Sequence, residues 1–262
     1  MCLILLSIGM HADNPLIVAA NRDEFYDRPA SPLAFWYEAP QVLAGRDLRG
    51  GGTWMGIAPG GRIGALTNYR DPSSLKENAP SRGVLVANFL KGVESPRKYL
   101  ERIRTSARRY NPFNLLAGDQ SGLYYYSNRS DEIRCLDSGL YGLSNHLLDT
   151  PWPKVRKGKD ALEAMLKRQK RVLPADLFDI LMDRSLPPDH LLPDTGVGLE
   201  WERLLSPVFI TGRTYGTRSA TALIVNRSGR STIAERTFAP PGEGMNRSFT
   251  RTYRLMLPQE RT

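Results

Sequence analysis

The head of the chain constrains its fold more than any other segment. Cys2 follows Met1 and opens an apolar run, Leu3 to Ile8. Gly9 to Pro15 carries turn chemistry, and a second apolar run follows from Leu16 to Ala20. Two apolar runs of strand length, joined by such residues, read as a β-hairpin. The pair ends in a polar string, Asn21-Arg22-Asp23-Glu24. In a hairpin the end of the second strand lies near the start of the first, so Arg22 or Asp23 is expected beside Cys2.

The rest of the chain alternates strand blocks with helix blocks. Pro29 to Pro40 reads as extended, Gly45 to Gly52 as a turn region, and Thr53 to Ala58 with Arg62 to Asn68 as a second hairpin. A helix from Ser81 to Gly92 is followed by one started by Ser95-Pro96, a cap residue then proline. Strands are expected at Phe113 to Gly118, Gly122 to Ser127, Ile133 to Leu136 and Gly139 to Ser144. A second helical block runs from Pro153 to about Arg171, broken by Pro174, with a short helix over Asp176 to Arg184. Leu186 to Leu205 reads as a long loop or lid. Strands at Pro207 to Thr211, Ser219 to Asn226 and Ser231 to Phe238 close the chain. The order is strands, helices, strands, helices, strands, and the strands look hairpin-linked. The expected class is α+β, with two mostly antiparallel sheets and helices outside.

Composition narrows the functions. The 262 residues show no linker and no internal repeat, so a single domain over residues 1–262 is expected. No apolar run approaches the roughly 18 residues a membrane helix needs. The opening run is short, lacks a preceding basic residue and meets Gly9, His11, Asp13 and Pro15 instead of a cleavage site. The reading is no signal peptide, no integral membrane segment and a cytoplasmic location. Cys2 and Cys135 are the two cysteines, and His11, His146 and His190 are scattered. Neither a disulfide framework nor a metal site is expected. The net charge of +9 invites a nucleic-acid reading. However, the cations are spread over Arg102 to Arg109 and Lys154 to Arg171, segments that read as helices with an apolar side. They read as solvated helix faces, so no nucleic-acid partner is expected.

Cys2 carries the chemistry. Removal of Met1 leaves a thiol and a free α-amine on one residue. A thiol near pKa ~8.5 needs help to ionise at neutral pH, and the adjacent amine can act as its base. An arginine favours the thiolate, and an aspartate holds an ammonium group. Trp54 reads as core, and His146 as a hydrogen-bonded histidine.

The opening Met-Cys-Leu-Ile, the string Ala20-Asn-Arg-Asp-Glu24, and Gly51-Gly-Thr-Trp-Met-Gly56, Leu66-Thr-Asn-Tyr-Arg70, Gly142-Leu-Ser-Asn145 and Tyr215-Gly-Thr-Arg218 together resemble the NRDE family, which includes the TANGO2-like homologues. That family is similar to N-terminal nucleophile hydrolases of the penicillin V acylase and bile-salt hydrolase branch. The resemblance implies a four-layer αββα sandwich. It implies Cys2 as nucleophile, Asp23 as orienter of the α-amine and Arg22 against the thiolate. Asn68 and Asn145 become donors to an oxyanion, and Arg218 completes the polar cluster. Asn68 matches more loosely, because its surrounding string differs. The implied activity is hydrolysis of a linear amide C–N bond through a thioester, with a small-molecule amide or acyl ligand and no cofactor. A non-enzymatic alternative uses the same pocket to bind or traffic a lipid, acyl-CoA or haem, as suggested by the secretory, lipid and haem roles of the homologues.

Overall fold

Leu3–Ile8 (β1) and Leu16–Phe25 (β2) pair antiparallel, with Leu3 opposite Asn21 and Ile8 opposite Leu16. Every residue of β1 up to Ser7 is buried, which is why the run is apolar nearly throughout instead of alternating. The structure, a computed structural model, describes residues 3–240 and 248–256. Within them follow Ala30–Phe35 (β3), Leu43–Asp47 (β4), Met55–Ala58 (β5) and Arg62–Asn68 (β6). Helices Gly83–Lys91 (α1) and Pro96–Ser106 (α2) lead to Phe113–Asp119 (β7), Gly122–Ser127 (β8), Glu132–Cys135 (β9) and Gly139–Leu143 (β10). Pro153–Arg168 (α3), Pro174–Leu181 (α4) and Leu199–Leu205 (α5) precede Tyr215–Val225 (β11), Arg230–Phe238 (β12) and Ser248–Met256 (β13).

These elements form two compact units. One contains a six-stranded antiparallel sheet in the order β10-β1-β2-β11-β12-β13. One face of it bears Leu3, Leu5, Ile17, Ala19, Ala220, Ala222 and Ala234, packed on Val155, Leu162 and Met165 of α3 and Leu177, Phe178 and Leu181 of α4. The small alanines and Gly158 let the helices come close: a Cβ at Gly158 would stand 2.9 Å from the Leu5 methyls. Full burial of each leucine or isoleucine contributes about 1.5–3 kcal/mol.

The other unit holds a seven-stranded antiparallel sheet in sequence order, β3 to β9. Leu85, Val86, Phe89 and Leu90 of α1 and Tyr99, Leu100 and Ile103 of α2 pack with Leu66, Phe113, Leu115 and Ala117 of that sheet. Trp54 is core, as expected, and its ring occupies the space a side chain at Gly45 would need, 2.2 Å from a Cβ there. Both units are α+β, each an antiparallel sheet with helices packed on one face.

Several element boundaries differ from expectation. β2 does not end at Ala20; it carries the polar string to Phe25, because β11 pairs with it from Ala220 opposite Asn21 to Tyr215 opposite Phe25. The stretch read as a lid contains α5. Pro174 starts α4 as its first residue, where a missing N–H costs nothing. Pro207 to Thr211 is not a strand; only an isolated bridge joins Thr211 to Gly216. The strand β13 lay outside the expected elements. No helix among the described residues is long and apolar enough to cross a membrane.

Candidate active site

Asn21, Arg22 and Asp23 are all buried, although they were expected at the end of the strand pair. The six-stranded sheet needs their backbone, and alternation along β2 sends their side chains to opposite faces. Asn21 and Asp23 share the face of Ile17 and Ala19, which the helices cover; Arg22 shares the other face with Ala20. The Asn21 amide donates to the Leu181 carbonyl at 2.9 Å and the Val208 carbonyl at 2.8 Å. It thereby ties the end of α4 and the irregular Val208 segment to the sheet. Asn21 is thus a structural clamp.

Asp23 accepts a 2.6 Å hydrogen bond from the Thr217 hydroxyl, and the same oxygen of Thr217 accepts from the Ile210 N–H at 2.9 Å. Thr217 lies opposite Asp23 in the β2–β11 ladder. The hydroxyl is thus a polar partner for a buried carboxyl group, which would be costly to bury without one.

The ladder then skips: Thr217 pairs Asp23 and Ser219 pairs Arg22, leaving Arg218 as a bulge. Bulges re-aim a side chain. Arg218 Nη1 turns to the end of β2 and donates to the carbonyls of Phe25 and Tyr26, each at 3.0 Å. Its guanidinium lies 5.8 Å from the centre of the Tyr26 ring. Burial raises the Tyr26 pKa, a shift opposed by the Arg218 charge. Gly216 makes room for this ring: a Cβ there would stand 2.2 Å from the Tyr26 hydroxyl. Arg218 thus braces the backbone at the end of β2. Thr217, Gly216 and Tyr26 were not singled out in the sequence, although two of them stand inside the Tyr215–Arg218 string.

Asn68 and Asn145 belong to the seven-stranded unit, and the structure joins them. The Asn145 amide donates to the Asn68 carbonyl at 3.0 Å, and the Arg70 N–H donates to the Asn145 carbonyl at 2.7 Å. The next residues repeat the clasp, with Tyr69 Oη and His146 Nε2 2.6 Å apart. Burial lowers the His146 pKa, which disfavours the charged ring in this contact with the Tyr69 hydroxyl. The Asn114 amide donates to the His146 carbonyl at 2.9 Å, and the Tyr125 hydroxyl donates to Asn114 Oδ1 at 2.8 Å. His146 is hydrogen-bonded as expected.

Cys2 lies outside the described residues; the chain is described from Leu3, which stands opposite Asn21.

Residues 1–240 match the family model described as Transport and Golgi organisation 2. The Transport and Golgi organization 2 homolog of Mus musculus is 37% identical over 262 residues, covering 92% of each chain. The Homo sapiens homologue is 39% identical over 259 residues, again covering 92% of each. Among solved structures, the Caenorhabditis elegans N-acylethanolamine-hydrolyzing acid amidase ortholog superposes with a TM-score of 0.51 at 10% identity, over 85% of this chain and 92% of that one. At that identity the likeness is one of fold, the N-terminal nucleophile hydrolase fold. By its family model and its relatives, the chain belongs to the Transport and Golgi organisation 2 family.

Proposed function

We propose that the chain is an N-terminal cysteine hydrolase that cleaves a linear amide C–N bond. One observation carries the reading: the buried Arg22-Asp23 pair follows Asn21, the residue opposite Leu3, and Cys2 is bonded to Leu3. In this scheme the Cys2 α-amine takes the thiol proton. The thiolate attacks the amide carbon, and the oxyanion that develops is met by N–H donors set in place beforehand. The proton passes to the leaving nitrogen, the C–N bond breaks, and a thioester remains. Water then attacks the thioester, releases the acid and returns the thiol. Arg22 favours the thiolate, Asp23 orients the α-ammonium, and Arg218 holds the end of β2 that carries both. The acid amidase ortholog, named for hydrolysing N-acylethanolamines, makes an acyl amide the first substrate class to test.

The relatives' names speak of transport, which favours a second reading: a protein that holds a lipid, acyl-CoA or haem without turning it over. A panel of acyl amides separates the two. Hydrolysis by the wild type and its loss in Cys2→Ala supports the enzyme. Equal turnover in both, or none in either, supports the binding protein.

A further inference from the structure

The six-stranded sheet has a second polar feature at its turn end, about 20 Å along β2 from Arg22. A cleft of about 880 Å³ opens there between the α3–α4 connection and the face of β12 and β13. Lys170 and Arg171 line one side, and Arg230 and Arg254 the other; Asp13 is the one carboxylate on its wall among the described residues. Val172 and Ile224 give it an apolar floor, and Thr232 and Thr252 add hydroxyls.

The arginines are set by register. Thr232 pairs with Arg254, and Arg230 with Met256, so Arg230 and Arg254 are diagonal neighbours on one sheet face. Diagonal neighbours lie about 7–8 Å apart, a distance at which two guanidinium groups repel yet both reach one anion. Several other surface cations have acids: Arg102 pairs with Glu94, Arg104 with Asp131, Arg203 with Asp189 and Lys167 with Glu163. Among the described residues, the side chains of Lys170, Arg171 and Arg254 have no ion pair, and Arg230 donates only to the Ser228 hydroxyl at 3.3 Å. Four cations converging on one cleft with one acid leave a concentrated positive field that a multiply charged anion relieves.

We propose that this cleft binds a phosphorylated ligand, its phosphate oxygens taken by the forks of Arg230 and Arg254 and by the charges of Lys170 and Arg171. The anion can come from a free phosphorylated molecule or from a lipid headgroup; the chemistry recognised is the same. The site does not depend on the hydrolase reading.

The test uses the full chain in two arms. In the first, calorimetry at low ionic strength follows pyrophosphate binding. In the second, co-sedimentation follows binding to phosphatidylcholine vesicles with and without phosphatidic acid. Three proteins are compared: wild type, Arg230→Gln/Arg254→Gln, and a control, Arg108→Gln/Arg109→Gln, which removes the same charge from the other unit. All four positions are exposed, and circular dichroism with a thermal melt checks folding. The expected result is binding by wild type and control, weakened about tenfold or more in the cleft variant, since each lost charged hydrogen bond weakens binding severalfold or more. Pyrophosphate binding with that pattern identifies a free anion; vesicle binding alone with that pattern identifies a headgroup. Absence of binding in both arms, or equal binding by all three proteins, overturns the proposal.

Discussion

Thr217 shows what one hydroxyl contributes to this sheet. It donates to Asp23 and accepts from the Ile210 N–H, and all three residues are buried. Thr217→Val keeps the shape and removes both bonds, so it should cost about 1–3 kcal/mol in denaturant unfolding, with Thr217→Ser near wild type. His146 makes a pH-dependent contribution. Its folded pKa is lowered by burial, so the unfolded chain binds the proton more readily. The sign follows: nothing is lost above the unfolded value of about 6.5, and stability falls as pH drops below it. Thermal melts between about pH 7.5 and 5.5 should fall more steeply for wild type than for His146→Gln. Arg22, Asp23 and Arg218 were legible in the sequence because they stand in dense polar strings. Thr217 and Tyr26 were not, because their partners come from register between segments some 190 residues apart.

The strands β2 and β11 carry the polar residues because each is longer than its apolar run. The string Asn21 to Glu24 looks like the end of a strand to any reading based on hydrophobicity, yet β11 pairs with it throughout. Tight turns made most hairpins legible, proline starts did so for α2 and α3, and apolar spacing ended by Gly92 did so for α1. The misreadings have local causes. Val208, Phe209 and Ile210 form a buried apolar run, which period alone cannot tell from a strand. Its carbonyl at Val208 bonds instead to the Asn21 side chain. A sharper constraint joins the Gly51-Gly52 turn to α1. A Cβ at Gly52 would stand 2.2 Å from the Gly83 carbonyl carbon and 2.5 Å from the Val84 nitrogen. Backbone cannot swing away as a side chain can. Gly52→Ala should therefore destabilise by about 3 kcal/mol; a melting temperature unchanged from wild type would show that the turn and helix yield easily.

At the scale of the molecule, family and fold answer different questions. The family match spans residues 1–240 and its relatives' names describe transport; the fold is shared with an amide hydrolase at 10% identity. The proposed hydrolysis would join them at the head of the chain, where the residue before Leu3 must be both nucleophile and N-terminus. The most direct measurement is the mass of the N-terminal peptide from protein incubated with acyl amides and quenched in acid. The hydrolase reading predicts a peptide that begins at Cys2 and carries the acyl mass, absent in Cys2→Ala. A peptide that retains Met1 and carries no acyl group would contradict it.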